Sequence, residues 1–186
     1  MVLAPDDEAR LVKLAVAGDF DSFAALYTCY LDPIYRYILY RHGDTEDAKD
    51  LTEQVFMKAW EALPKYKPNG GSFLHWLYRI AHNILIDDHR RKKRIQFESL
   101  PDNAFVTGQP HETTLDMLIS KEEAAALAAG IASLPEEYQQ VIILRFIEGF
   151  GHAEIAKILD KSAGACRGIQ YRALASLNKI LTDQVR

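Results

Sequence analysis

Apolar residues recur every three or four positions along most of this chain, in runs cut by glycine, proline and aspartate. That period marks amphipathic helices, so the expected fold class is all-α. Pro5 to Gly18 reads as a first helix, with Leu11, Leu14 and Ala15 inward and Gly18-Asp19 as its stop. Asp21-Ser22 restarts a helix carrying Phe23, Leu26, Tyr27, Tyr30 and Leu31. Pro33 marks either a bend or a fresh first turn, after which Ile34, Tyr35, Ile38 and Leu39 continue the apolar face. Gly43-Asp44 closes it, and Thr45 can cap a helix that begins at Glu46 and runs to about Leu63. Its inner stripe is Ala48, Leu51, Val55, Phe56, Ala59 and Trp60; its other face shows Asp47, Asp50, Glu53 and Gln54 beside Lys49 and Lys58. Such an acidic face is either simply solvated or meets a basic partner. Pro64 to Gly71 is the clearest loop, and Ser72 is a good cap for a helix from Phe73 to about Arg94. Phe73, Trp76, Leu77, Ile80, Ala81, Ile84 and Leu85 form its apolar stripe, which assigns Trp76 to the core.

The last third is patterned differently. Leu134-Pro135-Glu136-Glu137 opens a helix, because proline leaves no unpaired amide in a first turn and acids suit the positive end of the dipole. Tyr138, Val141, Ile142 and Arg145-Phe146 follow at helical spacing until Gly149 and Gly151 break the run. A short helix from His152 to Leu159, a tight turn at Asp160-Lys161-Ser162 and a helix through Cys166, Ile169 and Leu174 complete a helix-turn-helix pattern. In that geometry the second helix can enter a DNA major groove. An ordinary helical hairpin with a solvated charged face would give the same pattern. Lys161, Arg167, Gln170, Tyr171 and Arg172 are the polar groups on or near that helix. Arg167 and Gln170 lie three apart and share a face more readily than Arg167 and Arg172.

Charge separates the chain into modules. Its 186 residues carry a net charge of −4, too little basicity for a bulk nucleic-acid binder, so such a role must rest on local charge. Residues 1–95 hold 14 basic and 14 acidic side chains, and residues 121–186 hold 8 of each. The segment 96–120 has no lysine or arginine and four acids, Glu98, Asp102, Glu112 and Asp116, with Pro101, Gly108 and Pro110. It reads as a flexible acidic linker between two small helical domains, although Leu115, Leu118 and Ile119 begin the next helix. Basic charge is densest at Arg90 to Arg94, where it suits a helix C-terminus and could hold a phosphate backbone.

Enzyme chemistry gains no foothold. The six histidines form no close ligand set; His75, His82 and His89 recur every seven residues, about 10 Å apart along one helix, too far for one metal. There is no phosphate-binding glycine loop, no nucleophile elbow, and the adjacent Asp87-Asp88 diverge around their helix. No catalytic residue, metal or cofactor is expected. Cys29 and Cys166 lie far apart in apolar patterns, which suggests buried thiols in a reduced compartment. With no run of about 20 apolar residues and an acidic start unlike a secretory signal, a cytoplasmic protein without membrane insertion is the expectation.

Both halves together resemble the extracytoplasmic-function class of bacterial RNA polymerase sigma factors over nearly the full length. The resemblance lies in Ala17-Gly18-Asp19 with Phe23 and Leu26-Tyr27, in Asp47 to Leu51 with Phe56 and Ala59-Trp60, and in Gly71-Ser72-Phe73 with Trp76 to Asn83 and Asp87. It continues in Leu134-Pro135-Glu136, Leu144-Arg145-Phe146, Glu148-Gly149-Phe150, Ala153 to Ala156 and Tyr171 to Leu174. Three positions depart from the family pattern. Glu53-Gln54 inverts the usual order, Asp160 takes a position often held by glycine, and Cys166 one usually held by valine.

The resemblance implies a transcription initiation factor with a domain at 1–95, a linker at 96–120 and a helix-turn-helix domain at 121–186. The helix at 46–63 would dock on core RNA polymerase through Asp47, Asp50, Glu53, Gln54 and Lys58. The loop at 64–72 would capture a flipped base of the minus-ten promoter element with Tyr66, Lys67, Asn69 and Ser72. The helix at 73–94 would read and melt that element, with His82, Asn83, Arg90 and Arg91 as single-strand or phosphate contacts. Lys161, Arg167, Gln170 and Arg172 would bind the minus-thirty-five duplex, and an anti-sigma factor is the implied inhibitory partner. Two other classes stay open on the sequence: a stand-alone helix-turn-helix regulator of duplex DNA, and an adaptor that meets only proteins.

Overall fold

The computed structural model describes residues 4–67, 72–96 and 126–184, and among them all regular structure is helical. Contacts divide the chain into two compact units, Met1–Asp102 and Asn103–Arg186. The acidic segment 97–120, the apolar pair Phe105-Val106, the helix start expected at Leu115 to Ile119, and Asn69 in the loop lie outside the described residues.

In the first unit α1 (Pro5–Val16) starts on a proline followed by Asp6, Asp7 and Glu8, which favour the positive end of its dipole. It buries Val12 and Ala15 and leaves Leu14 exposed, so its inward face is rotated from the one expected. Gly18 at φ +96° turns the chain through a conformation that side chains resist, and Asp19 then caps α2 (Phe20–His42) by accepting from the Ser22 amide at 2.9 Å. Pro33 lies inside α2 without ending it. Tyr30 before it and Ile34, Tyr37 and Ile38 after it are all buried, so tertiary packing outweighs the lost amide.

Asp44, not Thr45, caps α3 (Thr45–Ala62): its carboxylate accepts from the Glu46 and Asp47 amides, both at 2.9 Å. Trp60 is 38% exposed at the border of the α3 stripe and packs on Phe20 and Phe23 rather than in the core. A 3-10 turn, Leu63–Lys65, ends the helix, and α4 (Phe73–Gln96) follows the loop. Helices α2, α3 and α4 pack on one another around Leu26, Ile34, Val55, Leu77, Tyr78 and Ala81, while α1 packs on α2 and the 3-10 turn. Each large aliphatic side chain so buried contributes roughly 2 kcal/mol.

The second unit comprises α5 (126–132), α6 (Glu136–Ile142), α7 (His152–Leu159) and α8 (Ala163–Gln184). A Cβ on Gly130 would lie 3.1 Å from Leu177 and 3.2 Å from Leu181, so glycine lets α5 approach α8 closely. The expected regular helix through Phe146 is not what forms. Residues Ile143–Ile147 make a π turn, in which the Glu148 amide donates to the Ile143 carbonyl at 3.0 Å, and Phe146 is turned out to 55% exposure. The Arg145 guanidinium closes this turn on the Phe150 carbonyl at 2.9 Å.

The turn between α7 and α8 has Asp160 at φ +53°, the left-handed conformation that aspartate tolerates better than most residues. Ser162 caps α8 by accepting from the Ala165 amide at 3.1 Å. Val141, Leu144, Ile155, Ile158, Cys166, Ile169 and Ala173 fill the core, and burial raises the Cys166 thiol above its ordinary pKa. Cys166 is therefore a packing residue.

Candidate polymerase and nucleic-acid interface

The outward side of α3 carries Asp50, Glu53, Gln54 and Lys58, all exposed. Asp47, expected among them as a free contact, is already engaged. Lys92 near the end of α4 reaches its carboxylate at 2.8 Å, and His42 at the end of α2 lies 3.4 Å away. The Lys92 ammonium also lies 2.6 Å from His42 Nε2 and 3.5 Å from the Asp88 carboxylate, which in turn accepts from Arg91 at 2.7 Å. The hydrogen bond from Lys92 holds Asp47 below the usual carboxylate range. Burial by itself would raise Asp88, yet Lys92, Arg91 and His42 together hold it low as well. This network across three helices was not foreseen, because His42 and Asp47 lie 50 and 45 positions from the Lys92 that joins them. A small groove of about 110 Å³ beside it brings Gln54 and Lys58 of α3 to Arg91 of α4. Candidates for polymerase docking and for DNA contact thus meet on one surface.

The start of α4 forms a second site. Lys65, Tyr66, Lys67, Trp76, Arg79 and Asn83 line a groove of about 460 Å³. Its floor is aromatic: the Tyr66 ring lies 4.7 Å from Trp76 and 5.5 Å from Phe73, centroid to centroid. Burial raises the Tyr66 phenol, and the negative charge of Glu8 adds to the effect. Trp76, read as core, is half-buried and faces this groove with Arg79, which the sequence reading did not select. Positions 76, 79, 80 and 83 form an i, i+3, i+4, i+7 series, a signal that counting from Asn83 would have exposed. Ser72 serves the helix: its Oγ accepts from the His75 amide at 3.4 Å while its own amide donates to His75 Nδ1 at 3.2 Å. His82, expected as a strand contact, is only 9% exposed, since it falls beside Tyr78, Ala81 and Leu85 on the inward stripe. Arg90 is exposed, whereas Arg91 is committed to Asp88.

A third site lies on α7 and α8. Arg167 and Arg172 are exposed, and Tyr171 beside them is 79% exposed. Gln170 is half-buried and its Oε1 accepts from His152 Nε2 at 2.7 Å, so its amide is oriented by α7. Lys161 at the turn is paired with Glu137 of α6 at 2.8 Å. A groove of about 500 Å³ gathers Lys161, Ser162, Gly164, Gly168 and Arg172. Arg172 therefore shares a concave surface with Lys161, on a side of α8 kept low by two glycines one turn apart. Among the described residues no group of histidine, cysteine, aspartate or glutamate could hold a metal, and no helix is long and apolar enough to cross a membrane.

This layout has counterparts among known proteins. The sequence matches the family Sigma-70 region 2 over residues 26–95 and the family Sigma-70, region 4 over residues 124–177. The ECF RNA polymerase sigma factor BldN of Streptomyces coelicolor is 34% identical over 186 residues, a match covering 98% of this chain and 70% of BldN. The ECF RNA polymerase sigma factor SigW of Bacillus subtilis is 30% identical over 188 residues, covering 94% of this chain and 96% of SigW. Among solved structures, CnrH in its complex with the cytosolic domain of CnrY shares the fold, with a TM-score of 0.72 at 24% identity over 96% of this chain and 99% of that one. Two helical units with an aromatic-floored basic groove in one and a helix-turn-helix in the other, matched along the whole chain by such relatives, make this protein a member of the extracytoplasmic-function class of sigma-70-family RNA polymerase sigma factors.

Proposed function

We propose that this sigma factor, which directs RNA polymerase to promoters of the extracytoplasmic-function type, divides the work among three sites. Residues 1–95 form the domain for core docking and minus-ten recognition, 96–120 the acidic linker, and 121–186 the minus-thirty-five domain. Asp50, Glu53, Gln54 and Lys58 on α3 dock on the core enzyme. Asp47 takes part as the residue that ties that face to the end of α4. An anti-sigma factor is the matching inhibitory partner, and the site of action is the cytoplasm.

The observation that carries this reading is the aromatic-floored groove at the start of α4. A base taken out of duplex stacking must be repaid by new stacking and hydrogen bonds. The Tyr66–Trp76 floor offers a π surface, Asn83 offers an amide that can donate and accept, and Lys65, Lys67 and Arg79 supply positive charge for the strand's phosphates. Asn69 joins this site through the family resemblance of its loop. Arg90 lies along the same helix for the phosphates that follow. In the second unit Arg167 and Gln170 read bases, while Lys161 and Arg172 clamp phosphate from their shared groove.

The test separates binding from opening. In holoenzyme, Arg167→Ala and Gln170→Ala should weaken initial binding to a duplex promoter by about 1–3 kcal/mol each, the worth of a good base contact. Asn69→Ala should leave initial binding intact and slow opening, followed by permanganate reactivity of the minus-ten strand. Equal effects of all three substitutions on both steps would sink this division of labour.

A further inference from the structure

Glu8 of α1 sits where no local sequence signal would put it. Its carboxylate accepts from the Phe73 amide at 2.7 Å, a contact spanning 65 positions, and so caps the first turn of α4 from a different helix. It is also hydrogen-bonded to Tyr30, whose phenol is pushed up by burial first and by Glu8 second. Tyr30 packs on Phe73 at 6.2 Å, and Phe73 packs on Trp76 at 5.2 Å and on Tyr66 at 5.5 Å. Glu8 therefore lies at the foot of the ring stack that floors the groove, and α1 packs on the 3-10 turn that carries Lys65 into it.

We infer that Glu8 is a positioning residue for promoter opening: by holding the first turn of α4 and Tyr30, it fixes the Tyr66–Trp76 floor on which the extruded base stacks. The inference rests on the base-capture reading of that groove. The α4 start follows a loop rich in glycine and proline, and Ser72 supplies a cap bond of only 3.4 Å, so the strong anchor for this turn is the carboxylate of α1. A stacking surface displaced by an ångström loses much of its value to a bound base, whereas docking through α3 and duplex binding through α8 do not depend on it.

The experiment uses holoenzyme with the full chain and a promoter it transcribes. Opening is measured on intact DNA and on the same DNA carrying an abasic sugar at the minus-ten position where base removal most slows the wild type. Glu8→Ala should slow opening of intact DNA by about tenfold, which corresponds to ~1.4 kcal/mol, and should have little further effect on the abasic promoter. Glu8→Gln, which keeps an oxygen acceptor for the Phe73 amide, should recover most of the rate. Tyr30→Phe should give a smaller defect with the same dependence on the base. An equal slowing by Glu8→Ala on intact and abasic DNA would mean that Glu8 only supports the fold, and would overturn the inference, as would an unaltered rate on intact DNA. A wild type indifferent to base removal at every minus-ten position would overturn the base-capture reading itself and this inference with it.

Discussion

The carboxylate of Asp88 is divided between partners: Arg91 takes Oδ1 at 2.7 Å, while His42 and Lys92 approach Oδ2 at 3.4 and 3.5 Å. The residue is 7% exposed, so water cannot replace a lost partner cheaply. Asp88→Asn should lower the stability of the first unit by about 2 kcal/mol in urea unfolding at neutral pH. The sign with pH follows from the depressed folded pKa values of Asp88 and Asp47. Their contribution is complete above the ordinary carboxylate value of 3.8 and is lost as pH falls below it through the folded values. The gap between wild type and Asp88→Asn should therefore narrow only below about pH 4; a gap that had already closed at about pH 5 would show that the ion pairs of the carboxylate are not its source. At this scale sequence reading was least complete. It placed the tight turn at Asp160-Lys161-Ser162, where the structure has one. It missed Asp44, because a cap is decided by which backbone turns extended, and it put His82 on the surface, because one step of 100° separates an inward from an outward position. The pairings of Lys92 with Asp47 and of Glu8 with the Phe73 amide were illegible for a different reason: they span 45 and 65 positions, and only the packed helices bring them together.

Helices were legible because their apolar period and their stops are local. The stops at Gly18 and Gly43 both take positive φ, where glycine alone is unstrained, and the helices end within a residue or two of where the pattern does. Pro33 was ambiguous, since the same proline can end a helix or be carried through one, and the outcome depends on burial around it. The π turn at Ile143–Ile147 was invisible: one inserted residue changes which side of the helix Phe146 occupies without changing the composition of the run. The turn before α8 gives a prediction at this scale. Because Asp160 sits at φ +53°, Asp160→Gly should be tolerated within about 1 kcal/mol, while Asp160→Val should destabilise the second unit by about 1–2 kcal/mol. Thermal unfolding of the two variants checks this. Equal melting of the valine variant and the wild type would mean that the turn is not held in that conformation in solution.

Over the whole molecule, the two domains proposed at 1–95 and 121–186 are each neutral, and the net −4 belongs to the segment between them. Neither has the bulk charge that drives tight nonspecific binding to duplex DNA, so recognition must come from a few placed cations and from attachment to a larger machine. That balance was readable from the sequence, and it is why a stand-alone regulator fits less well than a factor that borrows affinity from core polymerase. The aromatic groove at the start of α4 was half readable: its loop residues stood out, while Trp76 and Arg79 were hidden in a helix that looked wholly committed to the core.

The most direct test of the account is promoter-dependent transcription by purified core RNA polymerase, with and without this protein, from a randomised library of duplexes. The account predicts that transcripts appear only in its presence and that the enriched templates share an upstream and a downstream motif. Loss of upstream selectivity alone should accompany Arg167→Ala. Tight, selective binding of the free protein to duplex DNA, with no association with core enzyme and no transcript, would contradict it.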